Sequence, residues 1–425
     1  MHGYFLCTTN EGDLIKTEKR NLLIMWFANL FVGASMTMVL PFLSLYIDSF
    51  GGYTQEEVQR WAGLVFGVSF LVAFLVSPLW GRIGDRFGRK KILIGTGFGI
   101  ALSVFLMGYV QSVESLFILR IFMGLATGFI PASMALISAQ SDKRTAGQTL
   151  GTLQTGTVSG GLLGPLMGGF IADTVGMELT FIITSTVLAF ATLLVIVGVK
   201  EVLYQEKGES NRKYHWKEVI RHISTSPMLI VIMVVALLVQ LVNFSVQPLL
   251  ALYVDALTQT ENLAFMAGMA FSVTGLGNLV ATRKWGQIGD RIGHEKIMLL
   301  LLILSGIFFI PQAFVSELWH LIALRFLFGI AVGGLIPCTT AYIRQVCPLS
   351  MQGEVLGYNQ SFRFLGNVIG PVSGGFIAGT LGIPAVFIIT GALFFVAALC
   401  LKVVLSQNKK SVDMNVKPSG PEKTT

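Results

Sequence analysis

Residues able to do chemistry are few in this sequence, and most sit where long apolar runs meet. The densest group is Trp80–Leu93, W-G-R-I-G-D-R-F-G-R-K-K-I-L, where Asp85 stands among Arg82, Arg86, Arg89, Lys90 and Lys91. A carboxylate so placed can pair with an arginine or lie at a helix N-terminus. Such a pair can fasten two helices in one conformation and release them in another. The glycines between the charges permit a tight turn and close helix approach. The pattern recurs at Trp285–Met298, W-G-Q-I-G-D-R-I-G-H-E-K-I-M. The predicted latch therefore comprises Gly81, Asp85, Arg86, Gly88, Arg89, Lys90, Asp290 and Arg291. It is asymmetric, because His294 and Glu295 stand where the first copy has Arg89 and Lys90. The plainer alternative is that both basic loops only fix membrane topology.

Inside the apolar runs, charge is rare. Arg120 and Arg325 lie about one turn inside the ends that face away from the basic loops. A charge there must pair, face water or snorkel to the interface. Arg363 lies near the middle of its run, where snorkelling is hard, and is predicted to face a cavity. No Asp or Glu occupies the centre of any run; Asp48, Asp173 and Asp255 come nearest, each close to an end. They read better as interface charges than as proton carriers, so the proton-carrying group is not legible. Uncharged polar residues do reach the interior: Asn29, Gln154, Gln240, Asn243, Gln247, Tyr358 and Asn367. Each can serve as a helix–helix hydrogen-bonding group; with Arg363 they also form the candidate substrate cavity. Gly164, Pro165, Gly168, Gly169, Gly370 and Pro371 suit tight helix packing and bending. No nucleotide-binding G-x-x-x-x-G-K-[ST] loop, H-E-x-x-H or G-x-S-x-G occurs, so enzymatic chemistry has no support. The four cysteines are widely spaced and predict neither disulfide framework nor metal site. No cofactor is expected.

The elements that must position these groups follow from composition. Of 425 residues, 53% are hydrophobic and 12% charged, against about 25% charged in ordinary soluble domains. Only lipid can solvate that much apolar surface. Twelve segments are long enough to span a bilayer: 21–47, 61–81, 91–110, 116–138, 147–174, 179–199, 227–254, 263–285, 295–314, 318–343, 353–379 and 382–405. The even-numbered connections carry the Lys and Arg residues, while the odd-numbered ones carry only Arg60. Termini and even loops are thus predicted to be cytoplasmic. The net charge of +7 is a topology signal and gives no ground for nucleic-acid binding.

The predicted organisation is an N-terminal segment 1–20, a six-helix bundle 21–199, a cytoplasmic linker 200–226, a second bundle 227–405 and a disordered tail 406–425. The linker holds K-Y-H-W-K-E-V-I-R-H-I, which reads equally as an interfacial amphipathic helix or as solvated chain. The halves align at an offset of 205 to 207 residues. P-F-L-S-L-Y-I-D (41–48) matches P-L-L-A-L-Y-V-D (248–255), and G-P-L-M-G-G-F-I-A (164–172) matches G-P-V-S-G-G-F-I-A (370–378). Six spans return the chain to its starting side, so the repeat is parallel, about an axis along the membrane normal. Secondary transporters built this way bind cargo at the midplane between the halves.

At these motifs the chain resembles the major facilitator superfamily over nearly its whole length. G-R-I-G-D-R-F-G-R-K-K is similar to its loop signature between helices two and three, and L-R-I-F-M-G (119–124) to its helix-four signature. The G-x-x-x-G-P-x-x-G-G segment resembles that of its antiporters, and M-V-L-P-F-L-S-L-Y-I, L-G-T-L-Q-T-G-T-V-S-G-G-L-L-G-P and T-E-N-L-A-F-M-A-G resemble PmrA- and MdtG-type multidrug efflux pumps. The resemblance implies a monomeric all-α transporter of the cell membrane. It would use the proton gradient to export amphipathic molecules such as fluoroquinolones or dyes. By the same resemblance Asp85 and Arg89 stabilise one gate state, and Arg120 belongs to a proton-coupling network; Asp48 and Asp255, among the carboxylates nearest the spans, are the candidates to join it. The expected partners are a small-molecule substrate, protons and lipid. Rival readings are transport of a defined metabolite, sugar or lipid, and a non-transporting receptor or scaffold, for which neither terminus offers an output domain.

Overall fold

The computed structural model describes residues 11–141, 146–200, 216–258 and 260–416. Among them every regular element is helical, and twelve helices are long and apolar enough to cross a membrane. This is the twelve-span all-α architecture expected from the sequence. The spans are α1 (Thr17–Ser49), α2 (Gln55–Ser77), α3 (Arg89–Met107), α4 (Val113–Gln140), α5 (Thr149–Val175) and α6 (Met177–Gly198), then α7 (Pro227–Leu257), α8 (Leu263–Ile292), α9 (His294–Phe314), α10 (Leu318–Val346), α11 (Met351–Leu381) and α12 (Ile383–Gln407).

Proline and glycine punctuate these spans in the same places in both repeats. In α1 the helix Glu11–Met38 gives way to a tight turn, Leu40–Phe42, before Leu43–Ser49 resumes; α7 does the same at Gln247–Leu249. Pro41 and Pro248 lie in these turns, where the missing N–H interrupts the α-helical hydrogen-bond ladder. The expected continuous spans 116–138 and 318–343 are also interrupted: α4 divides into Val113–Leu125 and Phe129–Gln140, and α10 into Leu318–Val332 and Leu335–Val346. The cause is a docked indole. Trp80 Nε1 donates to Leu125 O at 2.8 Å and Trp285 Nε1 to Ile330 O at 2.8 Å, so each claims a carbonyl at the break. Gly128 and Gly334 lie against these rings, where a Cβ would collide.

The basic loops of the sequence reading are corrected to corners. The helix Gln55–Phe87 runs through most of the first motif, one residue intervenes, and the next helix starts at Arg89. That residue is Gly88, with φ +98°; Gly293, with φ +101°, does the same between α8 and α9. Gly176 (φ +94°) and Gly382 (φ +85°) turn the chain between α5 and α6 and between α11 and α12. Only glycine enters this left-handed region without strain, which is why one residue suffices. At its other end the Gln55–Phe87 helix begins on a capping box. Thr54 Oγ1 accepts from Glu57 N at 3.3 Å, and Glu57 Oε2 accepts from Thr54 N at 2.8 Å. The last helix continues to Val416, so residues 406–416 of the expected disordered tail are helical; residues 417–425 lie outside the described residues.

The chain forms two compact units. One comprises Met1–Gly208 with Gln247–Gly275, the other Glu209–Val246 with Leu276–Thr425. In the first, α1 packs along α5, α3 along α6 and α2 along α4. The α1–α5 seam is backbone against backbone. Gly156, Gly160, Gly164 and Gly168, each four residues apart, lie on the carbonyls of Trp26, Leu30, Ala34 and Met38; a Cβ at any of the four would overlap the opposing oxygen. In the second unit α7 packs along α11 in the same manner, with Gly366, Gly370 and Gly374 on the carbonyls of Leu237, Leu241 and Ser245. Its aromatic core gathers Phe309, Phe328, Phe387 and Phe394, with Phe309 and Phe328 ring centroids 4.9 Å apart. The linker contributes a helix, Trp216–Thr225, which packs on α7 and α11 with Val219 buried and Lys217, Glu218 and Arg221 exposed.

The seams predict a sharp positional contrast. Gly160→Leu and Gly366→Leu should abolish recovery of monodisperse protein, because the overlap is with main chain that cannot rotate away. Gly151→Ala, where nothing lies within 4 Å, should leave the thermal midpoint unchanged or raise it, by up to about 1 kcal/mol of helix propensity. Size-exclusion profile and melting temperature in detergent measure both.

Candidate functional site

Three groups of side chains answer to the sequence predictions, and a fourth stands outside them. The first is the pair of corners. In unit one, Arg89 Nη1 donates to the Ala135 carbonyl in α4. Lys90 Nζ donates to Ile196 O and Val199 O, at 2.8 and 2.7 Å, at the C-terminus of α6. A cation there meets carbonyls that lack helical partners and the negative end of the helix dipole. These cations therefore tie three helices of one unit together. Arg86 lies over the Phe87 ring, 5.2 Å from its centroid. Gly81 and Asp85 fall within the helix, but the Asp85 side chain lies outside the described residues. In the second copy His294 is buried, and its Nε2 lies 3.2 Å from the exposed Asp290 Oδ1. Gly289 is the residue whose lack of a Cβ admits the imidazole. Arg291 is exposed. The contacts described thus differ between the copies: Arg89 and Lys90 reach main-chain carbonyls in the first, and Asp290 meets His294 in the second.

The second group is the intramembrane charge. Arg120 is buried, and its nearest polar contact is Met123 Sδ, 4.0 Å from Nη1; Nε and Nη2 have no partner among the described residues. Asp48 is exposed and bonds Gln55 Nε2 at 3.4 Å, and Asp255 is also exposed. The candidate carboxylates are thus not brought to Arg120. Arg325, the repeat counterpart, is equally buried. An ionised group out of water is costly by several kcal/mol unless compensated.

The third group is the polar interior. In unit one Asn29 donates to Ser133 Oγ at 2.9 Å while its Oδ1 is unsatisfied, and the buried Gln247 Oε1 is unsatisfied as well; Gln154 is exposed. In unit two Gln240 Nε2 donates to Asn367 Oδ1 at 3.0 Å, joining α7 to α11 next to the Gly366 contact. Arg363 lies one turn earlier, on the same helix face as Asn367. It is half-buried, with Nη1 bonded to Gln360 Oε1 at 2.8 Å and Nε free of partners. Asn243 and Tyr358 are half-buried. Gly164, Gly168, Gly169 and Gly370 all lie on backbone carbonyls, while the helices continue uninterrupted through Pro165 and Pro371.

The fourth group was not anticipated. Buried Asn21 donates to Gln140 Oε1 at 2.9 Å and to Lys200 O at 2.6 Å, and accepts from Lys200 N at 3.1 Å; Gln140 Nε2 also reaches Lys200 O at 3.0 Å. This knot binds the ends of α1, α4 and α6. Buried Asn359 carries an unsatisfied Oδ1. Asp173, expected as an interface charge, accepts from two main-chain N–H groups of α8. Nothing in the sequence marks these contacts, since in most of them one partner is backbone. No group of three or more His, Cys, Asp or Glu able to hold a metal occurs among the described residues. An apolar groove between α3 and α6, lined by Phe98, Leu102, Phe105 and Ser185, holds none of the expected site residues.

Comparison with known proteins places this geometry. The family model described as Major Facilitator Superfamily matches residues 25–283 and 234–421. The chain is 56% identical over 387 residues to the uncharacterized MFS-type transporter YuxJ of Bacillus subtilis (strain 168), covering 91% of this chain and 99% of that protein. It is 39% identical over 383 residues to the multidrug resistance protein MdtG of Dickeya zeae (strain Ech586), covering 89% and 93%. A bacterial homologue of the human lysosomal transporter Spinster superposes with a TM-score of 0.74 at 14% identity, over 93% of this chain and 98% of that one. At that identity the likeness is one of fold.

The polar bridge of unit two is open to measurement. Gln240→Leu and Asn367→Leu should each destabilise the protein by about 1–3 kcal/mol, since each strands a buried partner. The double variant should lose less than the sum, with a coupling of about 1 kcal/mol in a double-mutant cycle of thermal unfolding.

Proposed function

Because the chain belongs to the major facilitator superfamily, we propose that it is a proton-coupled exporter of amphipathic, drug-like molecules, working by alternating access in the cell membrane with both termini in the cytoplasm. The structural observation that carries the reading is Arg120. A buried guanidinium with two unsatisfied donor nitrogens marks a path for ions or substrate, because isolated intramembrane charge persists only where function requires it. The relatives named multidrug resistance protein MdtG, which match about nine-tenths of the chain, support the cargo class. The basic corners support the orientation, since the Lys and Arg residues gather at one set of helix ends. The corner contacts suit a latch: the cations of Arg89 and Lys90 hold main-chain carbonyls of α4 and α6, and Asp290 meets His294 across the second corner.

A second reading concerns the cargo. Arg363 has a free Nε and lies one turn from the Gln240–Asn367 bridge, and no carboxylate lies centrally in any span. This set favours neutral, zwitterionic or anionic molecules over cations. The proton and the cargo then use separate groups, and no bond-making chemistry is assigned.

Everted vesicles containing the protein, energised by an imposed pH gradient, should accumulate fluorescent amphipathic dyes, and addition of cargo should dissipate the gradient. If no drug-like compound moves and none alters the gradient, the efflux reading fails. Arg120→Ala should lower the initial rate at least tenfold, and Arg120→Lys should restore little, because lysine lacks the planar fork of donors. Arg363→Ala should shift cargo preference toward cations; an unchanged profile across cationic, neutral and anionic dyes would make Arg363 structural.

A further inference from the structure

Asp173 stands on the last turn of α5, four residues past Gly169. Its Oδ1 accepts from Ala264 N at 3.0 Å and its Oδ2 from Phe265 N at 2.7 Å. Those two amides belong to the first turn of the helix Leu263–Ile292, where N–H groups have no intrahelical acceptor and the helix dipole is positive. The first helical bond there runs from Met266 N to Asn262 O at 3.1 Å. The cap of this helix is thus supplied from a residue 91 positions away in sequence, on another span and in the other sequence repeat, and both lie within the same compact unit.

The contacts below the cap form one seam running down α5 and α8. Gly169 lies on the Ala264 carbonyl and Gly268 on the Pro165 carbonyl. Phe170 and Phe265 meet edge to face, with centroids 6.4 Å apart. Ser272 Oγ donates to Leu162 O at 2.8 Å. Every one of these contacts is neutral, and the glycine contacts hold by shape alone. Asp173 is the carboxylate among them, at the end of the seam and half-buried, so water can replace its bonds as the seam parts. A carboxylate bonded to main chain fastens the seam whatever side chains α8 carries.

We infer that Asp173 is a positioning residue of the transport cycle, a fastener that holds α5 and α8 together at the helix ends opposite the termini. Releasing it opens the seam on that side. The inference rests on the transport reading for its place in a cycle, but the fastening itself is measurable without any cargo.

The test places Ser272→Cys, buried in the seam, as a reporter. The intact protein in oriented vesicles is treated with a membrane-impermeant maleimide from the side opposite the termini, and labelling is taken as the difference with and without the reporter cysteine. Asp173→Ala should raise the labelling rate about tenfold. Asp173→Asn, similar in shape but uncharged, should raise it by a smaller factor, and Asp173→Glu should return it toward the parent. Dye efflux by the Ala variant should lose rate at saturating dye with little change in half-saturation. Labelling within twofold of the parent for both Ala and Asn variants overturns the inference. Where the Ala variant does not fold, the Asn variant alone decides. Raised labelling with no dye moved by any variant, parent included, sustains the fastener and defeats the efflux reading.

Discussion

The structure depends on the approach of one helix backbone to another without side chains between them. Lipid offers no hydrophobic drive to bring helices together, so spans associate through shape and weak polar contact. On α5 four glycines at intervals of four residues put bare main chain against the carbonyl row of α1, and on α11 three do the same against α7. Backbones this close can make Cα–H···O contacts, worth about 0.5–1 kcal/mol each. The two seams fix α1 and α7, and with them the polar residues those helices carry.

Charge is arranged around this frame by a simple rule. At the first corner, Arg89 and Lys90 donate to main-chain carbonyls of neighbouring helices. Within the spans, Arg120 and Arg363 keep donors unmet. The corner cations thereby stiffen their unit, while the unmet donors of Arg120 and Arg363 take no part in holding theirs. The Gln240–Asn367 bridge lies between these extremes, satisfied within the protein and adjacent to an arginine that is not.

Much of this was legible in the sequence, for physical reasons that can be named. The bilayer dictates span length, so twelve apolar runs were readable, and duplication exposed the repeat through Trp80 and Trp285. The motif glycines announced close packing. Their faces were less legible: Gly156 belongs to the α1 seam although it precedes the conspicuous glycine–proline cluster, and Gly169 turns to α8. Hydropathy could not locate the corners, because a charged helical turn and a charged loop have the same composition; only the positive φ of Gly88 and Gly293 distinguishes them. The contacts of Asp173, and most of those of Asn21, were missed because the partners are main-chain atoms, which every residue carries and no residue type advertises. Arg120 was readable as costly, but its isolation from Asp48 and Asp255 is a fact of three dimensions.

The glycine seams have one more consequence, for how the two members of each helix pair can change over time. The oxygens that α1 offers come from Trp26, Leu30, Ala34 and Met38, residues with nothing else in common. A contact made through atoms common to all amino acids places no demand on which amino acid supplies them. Its partner α5 has no such liberty, since each of its four positions admits one residue. Inheritance is therefore lopsided: α5 and α11 are held as fixed rails, while the positions of α1 and α7 that lend only a carbonyl to the seam can change side chain without disturbing it.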